Sequence, residues 1–287
     1  IAKFPAVSAD NRAIAHAYSM YLREYQFYTE IQPQVPVRSP ECLFAAYDFD
    51  THEFVLLLED LQDFTLGDQV SGCSEAECQL IVESIAAFHR NAWEPPAAIG
   101  PHNTEAQAQG MIMGFEMGWP VVREKFPQLV DEAIYQRGLN MPAKLPNLLN
   151  QISTAPLCIN HGDLRLDNVF FGNGSIALVD FQATCQSAPE HDLAYFLTQS
   201  PKSSVRNARD WVAVYHQLLT RDGISYSLEV CRERYRHCAL YFLCYAVVIC
   251  SALDLANERG RMMGETLLGN SLDSIAELNA FELLETL

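Results

Sequence analysis

The chain has 287 residues, of which 49% are hydrophobic, and its 19 basic and 36 acidic residues give a formal charge of −17. That length allows one large domain or two lobes. An acidic surface repels nucleic acid and anionic membranes, so we expect neither as a partner. The nine cysteines, an odd number without a CxxC pair, indicate reduced thiols in a cytoplasmic protein and argue against a zinc site.

The first half of the chain alternates short strands with amphipathic helices. The first four residues indicate the end of a strand, which Pro5 stops. Apolar residues near a 3.6-residue period predict a helix from about Asp10 to Ile31. Two strands, at residues 42–47 and 53–58, are joined by a tight link that predicts a hairpin. Further helices are predicted at residues 75–93, 111–125, 128–137 and 145–154, with a loop from Pro95-Pro96 to Gln109 between the first two.

A polar hairpin interrupts the helical second half. Apolar residues 157–159 precede a polar stretch at 160–168, and a second apolar run, 169–171, leads into the turn Gly172-Asn173-Gly174. Residues 175–180 are predicted to return as a strand, and the chain from about Asp192 onward reads as helical. The longest apolar run, residues 238–253, is shorter than the roughly 18–20 residues of a spanning helix, so we expect a buried core helix.

The hairpin brings three polar side chains to one end of one element. Asp163 and Asn168 lie on the loop, and Asp180 ends the returning strand. Two carboxylates and an amide oxygen are hard ligands that suit Mg²⁺. A carboxylate that does not ligate the metal can accept a proton from a substrate hydroxyl. Each residue alone would be an ordinary turn former, but the whole spacing favours a site.

The string His161-Gly162-Asp163, with Asn168 five residues after Asp163, resembles the catalytic loop of the protein-kinase-like phosphotransferases. In protein kinases this loop has the sequence His-Arg-Asp, and the later metal-binding motif is Asp-Phe-Gly. The present chain has His-Gly-Asp and Asp180-Phe181-Gln182, the form of the small-molecule branch that holds aminoglycoside phosphotransferases and choline kinases. The segment from Asp192 to Leu197 resembles the ecdysteroid-kinase-like subgroup in particular.

The resemblance extends upstream and covers the chain from residue 3 to about residue 197. Lys3 matches the phosphate-binding lysine, Glu24 matches its helix partner, and Glu59-Asp60-Leu61 match the adenine-binding hinge. Two features depart from the family. Its phosphate-covering loop would precede Ile1, so we expect further residues upstream of a chain that does not begin with Met. Arg165 stands where the closest subgroup is expected to have an aromatic residue.

The resemblance implies a bilobal α+β kinase-like fold, with a small antiparallel-sheet N-lobe at residues 1–60 and a larger helical C-lobe at residues 61–287. It also implies that ATP and Mg²⁺ are cofactors and that the acceptor is a small molecule with a hydroxyl group. The expected form is a monomer or homodimer. The implied roles are catalytic base for Asp163, metal ligation for Asn168 and Asp180, phosphate neutralisation for Lys3, positioning of Lys3 for Glu24, nucleotide binding for Glu59, Asp60 and Leu61, phosphate or substrate contact for Arg165, and structural support for His161 and Asp192.

Two other functions stay open at this point. A nucleotide-binding protein or scaffold without turnover would share the same fold. A protein kinase is disfavoured, because Ala-Pro-Glu is missing and only about ten residues separate Phe181 from Asp192, too few for an activation segment. The acceptor also stays open between a polycation, which the net charge suits, and a neutral apolar alcohol, which the aromatic residues 241–245 suit.

Overall fold

The computed structural model describes residues 1–95 and 99–287, and its N-terminal part contains a three-stranded antiparallel sheet. The elements of this part are β1 (Ala2–Lys3), α1 (Ala9–Ala17), α2 (Met20–Gln26), β2 (Cys42–Tyr47) and β3 (Phe54–Leu58). The strand order is β1-β3-β2, with Lys3 opposite Leu56 and Tyr47 opposite Phe54. The predicted strands and their hairpin are confirmed.

The helix predicted from about Asp10 to Ile31 is interrupted once. Ser19 has φ 54°, a left-handed conformation that cannot continue an α-helix, so α1 and α2 are separate. A π-helical turn, Phe27–Ile31, then continues α2. The prediction was right about the type of structure and wrong about its continuity. On α2, Glu24 points inward and is 1% exposed.

The remainder of the described chain is mainly helical, and a long apolar helix runs through its core. The helices are α3 (Glu75–Asn91), α4 (Glu105–Lys125), α5 (Glu132–Gly138), α6 (Met141–Ile152), α7 (Glu190–Gln199), α8 (Ser203–Arg206), α9 (Trp211–Leu219), α10 (Leu228–Ala252), α11 (Glu258–Glu277) and α12 (Leu283–Thr286). Helix α10 packs against α4, α7 and α11. It is the one helix of the described residues long and apolar enough to cross a membrane, and 67% of its apolar window is buried.

Capping residues place several helix boundaries differently from the periodicity. Ser74 caps α3 with a capping box, as its sequence position predicts. Helix α4 begins at Glu105 rather than residue 111, because the Thr104 side chain accepts the Gln107 N–H at 3.1 Å. The loop predicted to reach Gln109 is therefore shorter, and its Pro96 lies outside the described residues. Asp131 caps α5, which consequently starts later than predicted.

The polar hairpin forms as predicted and gains one unpredicted strand as a neighbour. The strands are β4 (Thr65–Leu66), β5 (Cys158–Asn160), β6 (Val169–Gly172), β7 (Ser175–Leu178) and β8 (Cys185–Ser187). Strands β4, β6 and β7 form one antiparallel sheet, and β5 pairs with β8. The returning strand ends at Leu178, two residues earlier than predicted. Asp180 then adopts φ 66° and turns the chain away from the sheet.

Candidate active site

The loop between β5 and β6 is anchored from beneath by a buried carboxylate. Asp192, in the first turn of α7, accepts the backbone N–H groups of His161 at 2.6 Å and Gly162 at 2.9 Å. Its Oδ2 also lies 3.1 Å from Nε2 of His89. Burial favours the neutral acid, but the neighbouring His191 and His89 side chains outweigh it and hold the pKa of Asp192 far below its usual value. Asp192 is therefore a charged anchor for the loop.

Gly162 lets the loop approach the next element more closely than another residue would. Its φ is +84°, and a Cβ at this position would overlap the carbonyl oxygen of Ala183. Both the conformation and the close contact require glycine. The position of Asp163, the next residue, consequently depends on a residue without a side chain.

Asp163 is held at the mouth of a cavity by its own loop. The Asn168 side-chain amide donates from Nδ2 to the backbone oxygen of Asp163 at 2.8 Å and to its Oδ2 at 3.0 Å. The backbone N–H of Asp163 donates to Nδ1 of His161 at 3.2 Å. Burial raises the pKa of the Asp163 carboxyl, although Arg165 and His161 oppose this shift. A raised pKa makes the carboxylate a better proton acceptor near neutral pH.

Lys3 joins the first sheet to the hairpin through two ion pairs. Its Nζ lies 2.7 Å from Glu24 and 2.6 Å from Oδ1 of Asp180. Burial and the nearby Asp180 charge raise the pKa of Glu24 to about 7, against the opposing effect of Lys3. Burial lowers the pKa of Lys3, but the two carboxylates raise it by more, so Lys3 stays charged. The three residues expected to serve the phosphates and metal thus meet in one cluster.

The aromatic residue after Asp180 fixes that cluster against α2. Phe181 is fully buried and stacks on Phe27 with 3.4 Å between ring centroids. His161 packs on Phe181 at 4.6 Å, and its Nε2 lies 2.9 Å from the carbonyl oxygen of Val179. Since Nδ1 of His161 accepts the Asp163 N–H, Nε2 carries the proton and donates to Val179. These contacts are those of a bracing residue.

Two cavities lie on either side of these carboxylates. One, of about 530 Å³, is lined by Asp163, Arg165 and Arg23 together with apolar and aromatic side chains of α4 and α10. The other, of about 340 Å³, is lined by Lys3, Glu24 and Asp180 and by the segment Leu58, Glu59, Asp60 and Leu61. We name them, after the ligands that the sequence resemblance predicts for their lining residues, the acceptor cavity and the nucleotide cavity. All the residues expected at the nucleotide, and Asp163 with Arg165 on the acceptor side, line one or the other.

Arg165 reaches its carboxylate neighbours only at long range. Its Nε lies 3.6 Å from Oδ1 of Asp163, and its Nη1 lies 3.6 Å from Oδ2 of Asp167. Nε is buried and has no hydrogen-bond partner among the described residues. The guanidinium group of Arg165, which lines this cavity, is therefore incompletely paired.

Asn168 and Asp180 fit a hard divalent cation. Because Asn168 directs Nδ2 to Asp163, its amide oxygen faces away from that residue. Among the residues that the structure describes, the Oδ2 of Asp180 accepts only a long 3.3 Å hydrogen bond from Nε2 of Gln182. Amide and carboxylate oxygens are the ligands that Mg²⁺ prefers. The donor set is therefore chemically suited to this ion.

The structure contains a separate cluster of side chains that could ligate a metal, which the spacing of the cysteines does not indicate. His102, Cys185 and His191 are buried, and their ligating atoms lie within 4.8 Å of one another. Internal contacts account for part of it: His102 meets the Tyr241 hydroxyl at 2.8 Å and Cys185 at 3.7 Å. The residues are far apart in sequence, so no local motif could have revealed the cluster.

Two other residues of the acceptor cavity also have no signal in the sequence. Arg23 arrives from α2 and Tyr195 from α7. The aromatic stripe at residues 241–245 was expected to be core, with one face as a candidate cavity wall. Tyr241 is buried in the core and Tyr245 lines the cavity, so the stripe does both.

Comparison with known families identifies the fold and the broad chemistry. The model of a family described as the phosphotransferase enzyme family matches residues 10–233. The chain belongs to this family. A search of curated protein sequences gives no match.

The chain also resembles solved structures. The GDP and kanamycin complex of APH(2")-IIIa is 16% identical with a TM-score of 0.53, covering 97% of this chain and 86% of that chain. Ethanolamine kinase from Plasmodium vivax is 10% identical with a TM-score of 0.52, covering 99% and 76%. Choline kinase from Cryptosporidium parvum is 11% identical with a TM-score of 0.52, covering 93% and 79%. At these identities the likeness shows the fold, and the predicted bilobal α+β kinase-like architecture is confirmed.

Proposed function

We propose that the chain is an ATP- and Mg²⁺-dependent kinase that transfers a phosphoryl group to a hydroxyl of a small molecule. The observation that carries this proposal is the meeting of Lys3, Glu24 and Asp180 at the nucleotide cavity, beside a loop that presents Asp163 to the acceptor cavity. Membership of the phosphotransferase family supports the reaction class.

The nucleotide cavity offers the groups that an adenine ring and a triphosphate need. Among the described residues, the carbonyl of Glu59 and the N–H of Leu61 make no backbone hydrogen bond, so both can pair with a purine edge. The Glu59 side chain instead binds Arg38 at 2.6 Å, which fixes the segment. Lys3 supplies positive charge for the phosphates, and Glu24 holds it in place.

In the proposed reaction, the acceptor hydroxyl lies in the acceptor cavity beside Asp163. Its oxygen forms a bond to the γ-phosphorus while the bond from that phosphorus to the β–γ bridging oxygen breaks and ADP leaves. Asp163 takes the hydroxyl proton, and Asn168 keeps its carboxylate in position at 3.0 Å. Asn168 and Asp180 would hold Mg²⁺, which when bound neutralises phosphate charge. Arg165 is suited to contact the transferred phosphoryl group or an acidic substrate group.

Several finer assignments belong to the same proposal. Residues 1–60 would form the nucleotide-binding N-lobe and residues 61–287 the C-lobe. The motif from Asp180 to Gln182 and the segment after Asp192 support placement near the ecdysteroid-kinase-like subgroup. The reduced cysteines and acidic charge support a cytoplasmic monomer or homodimer.

One observation favours a nucleotide-binding protein without turnover as the second candidate. Asp180 pairs directly with Lys3 at 2.6 Å, so one carboxylate oxygen that a metal would use is occupied by an ammonium group. In a kinase, Asp180 must give up this contact with Lys3 to ligate Mg²⁺ when MgATP binds. A scaffold without turnover can keep the contact.

Replacing Asp180 with alanine tests the metal role that the proposed kinase requires. We expect MgATP to raise the melting temperature of the wild-type chain. At a ligand concentration of 100 Kd the gain is about 2.7 kcal/mol, and each kcal/mol is roughly 2–4 °C for a chain of this size. Asp180→Ala should lose the part of the shift that depends on Mg²⁺, while the control Asp273→Ala, at an exposed site on α11, keeps it. A Mg²⁺-dependent shift in Asp180→Ala equal to that of the wild-type chain would contradict the metal role of Asp180.

A further inference from the structure

The acceptor cavity has a charge opposite to that of the chain. The chain carries −17, yet the charged side chains that line this cavity are Arg23, Arg165 and Asp163, two cations and one anion among the described residues. His102 also lines it, but burial lowers its pKa well below the usual value, so it adds no positive charge near neutral pH. A substrate with several amino groups would find there a single carboxylate, which the proposed reaction needs as its base.

Arg23 provides the positive charge that no carboxylate offsets. Its Nη1 donates to the carbonyl oxygen of Thr184 at 2.8 Å, and its Nη2 donates to that of Pro101 at 3.2 Å. These carbonyls fix the guanidinium group but leave its charge in place. Within the described ranges, no Asp or Glu forms an ion pair with Arg23, whereas Arg165 has Asp163 and Asp167 at 3.6 Å.

The rest of the cavity wall is largely apolar. Aliphatic side chains from four helices line it, together with the rings of Tyr195 and Tyr245. The Tyr245 hydroxyl is already bonded to Nε2 of Gln107 at 2.8 Å, so this ring offers the cavity mainly its face. A volume of about 530 Å³ lies in the range of cavities that hold drug-sized ligands. The aliphatic lining residues are Ile14, Met20, Met111, Val248 and Ile249.

We propose, on the basis of the function proposed above, that the acceptor is a mainly apolar alcohol that carries an acidic group, and that polycations are excluded. The acidic group, a carboxylate, sulfate or phosphate ester, binds Arg23 through a charge-assisted hydrogen bond. The apolar skeleton lies against the walls of α4 and α10, and the hydroxyl lies beside Asp163. Arg165, which also lines the cavity, remains available to the transferred phosphoryl group. The specificity follows from both an attractive contact for an anion and a repulsive one for an amine.

Three alcohols with the same twelve-carbon skeleton test the charge preference. They are 12-hydroxydodecanoate, 1,12-dodecanediol and 12-amino-1-dodecanol, each titrated into the full chain by calorimetry in the presence of MgADP. We expect the acid to bind at least tenfold more tightly than the amine, with the diol between them, since a hydrogen bond to a charged group changes affinity about tenfold to a hundredfold. An amine that binds as tightly as the acid, or the absence of binding by all three, would overturn the proposal.

Substitution of Arg23 tests the assigned contact. Arg23→Gln should reduce the preference for the acid over the diol to less than threefold, and Arg23→Glu should reverse it in favour of the amine. Arg12→Gln is the control, because Arg12 pairs with Glu53 outside the cavity. Melting temperatures of all variants establish that they fold. An unchanged acid preference in folded Arg23→Gln would contradict the assignment.

Turnover of the same compounds separates this inference from the function on which it rests. With MgATP, the acid should be phosphorylated faster than the diol. If the acid binds through Arg23 and is never phosphorylated while MgATP still binds, the binding preference holds and the kinase proposal fails. If the amine is phosphorylated best, the kinase proposal holds and the acceptor inference fails.

Discussion

The close approach of Gly162 to Ala183 makes a sharp prediction for Gly162→Ala. Two costs add at this position. A left-handed conformation at φ +84° costs an alanine about 1–2 kcal/mol. The overlap of its Cβ with the Ala183 carbonyl oxygen, a backbone atom that cannot rotate away, costs about 1–3 kcal/mol more. Because Asp163 follows directly, relief of the overlap displaces the proposed base.

Gly174→Ala is the matched control for this substitution. Gly174 has φ +69°, but nothing lies within 4 Å of a Cβ built there, so only the first cost applies. In thermal denaturation the extra 1–3 kcal/mol should lower the melting temperature of Gly162→Ala by a further 2–12 °C, at roughly 2–4 °C per kcal/mol. We expect ATP turnover to fall strongly in Gly162→Ala and to be unchanged in Gly174→Ala. Equal melting temperatures and full activity in both variants would refute the reasoning.

Two buried carboxyl groups give further predictions. Burial raises the pKa of Glu24 to about 7, so the folded chain binds a proton there more tightly than the unfolded chain does, and this stabilisation is lost as pH rises from about 4.5 to about 7. The free energy of unfolding in urea should therefore be lower at pH 8 than at pH 5 by at most about 3 kcal/mol, and Glu24→Gln should remove this difference. An unchanged difference between pH 5 and pH 8 in Glu24→Gln would contradict the assignment of this pH dependence to Glu24. Asp192→Asn should cost about 3–5 kcal/mol, since an amide cannot accept both loop N–H groups as a carboxylate does. Asp222→Asn, at an exposed ion pair with Arg90, should cost less than about 1 kcal/mol; equal losses would count against the anchor.

Local chemistry made the hairpin and most helices predictable. The Gly172-Asn173-Gly174 turn fixes the pairing of Val169 with Leu178, and this register brings Asp180 back to Asn168. Ser74, at the N-cap position, indicated where α3 begins. Thr104 and Asp131 are similar capping residues, and the prediction missed the earlier start of α4 and the later start of α5 because it gave periodicity more weight than caps.

Contacts between distant segments were not predictable in the same way. Strand β4 has two residues and no period of its own, and it exists because Thr65 pairs with Phe171. Arg23 enters the acceptor cavity only because Ser19 breaks the helix and the chain packs α2 against Thr184. The charge of the cavity is therefore a property of the fold, whereas the carboxylates of the hairpin are a property of the local sequence.

The proposed role of Asp163 can be tested by one isosteric substitution. Asp163→Asn keeps the shape of the side chain and an oxygen for the 3.0 Å contact with Asn168, but removes the group that accepts the proton. With the first alcohol that the wild-type chain phosphorylates, ADP release should fall about 10²–10⁴-fold, while the affinity for MgATP measured by calorimetry should stay within about threefold. Turnover of Asp163→Asn at the wild-type rate would contradict the assignment of Asp163 as the base.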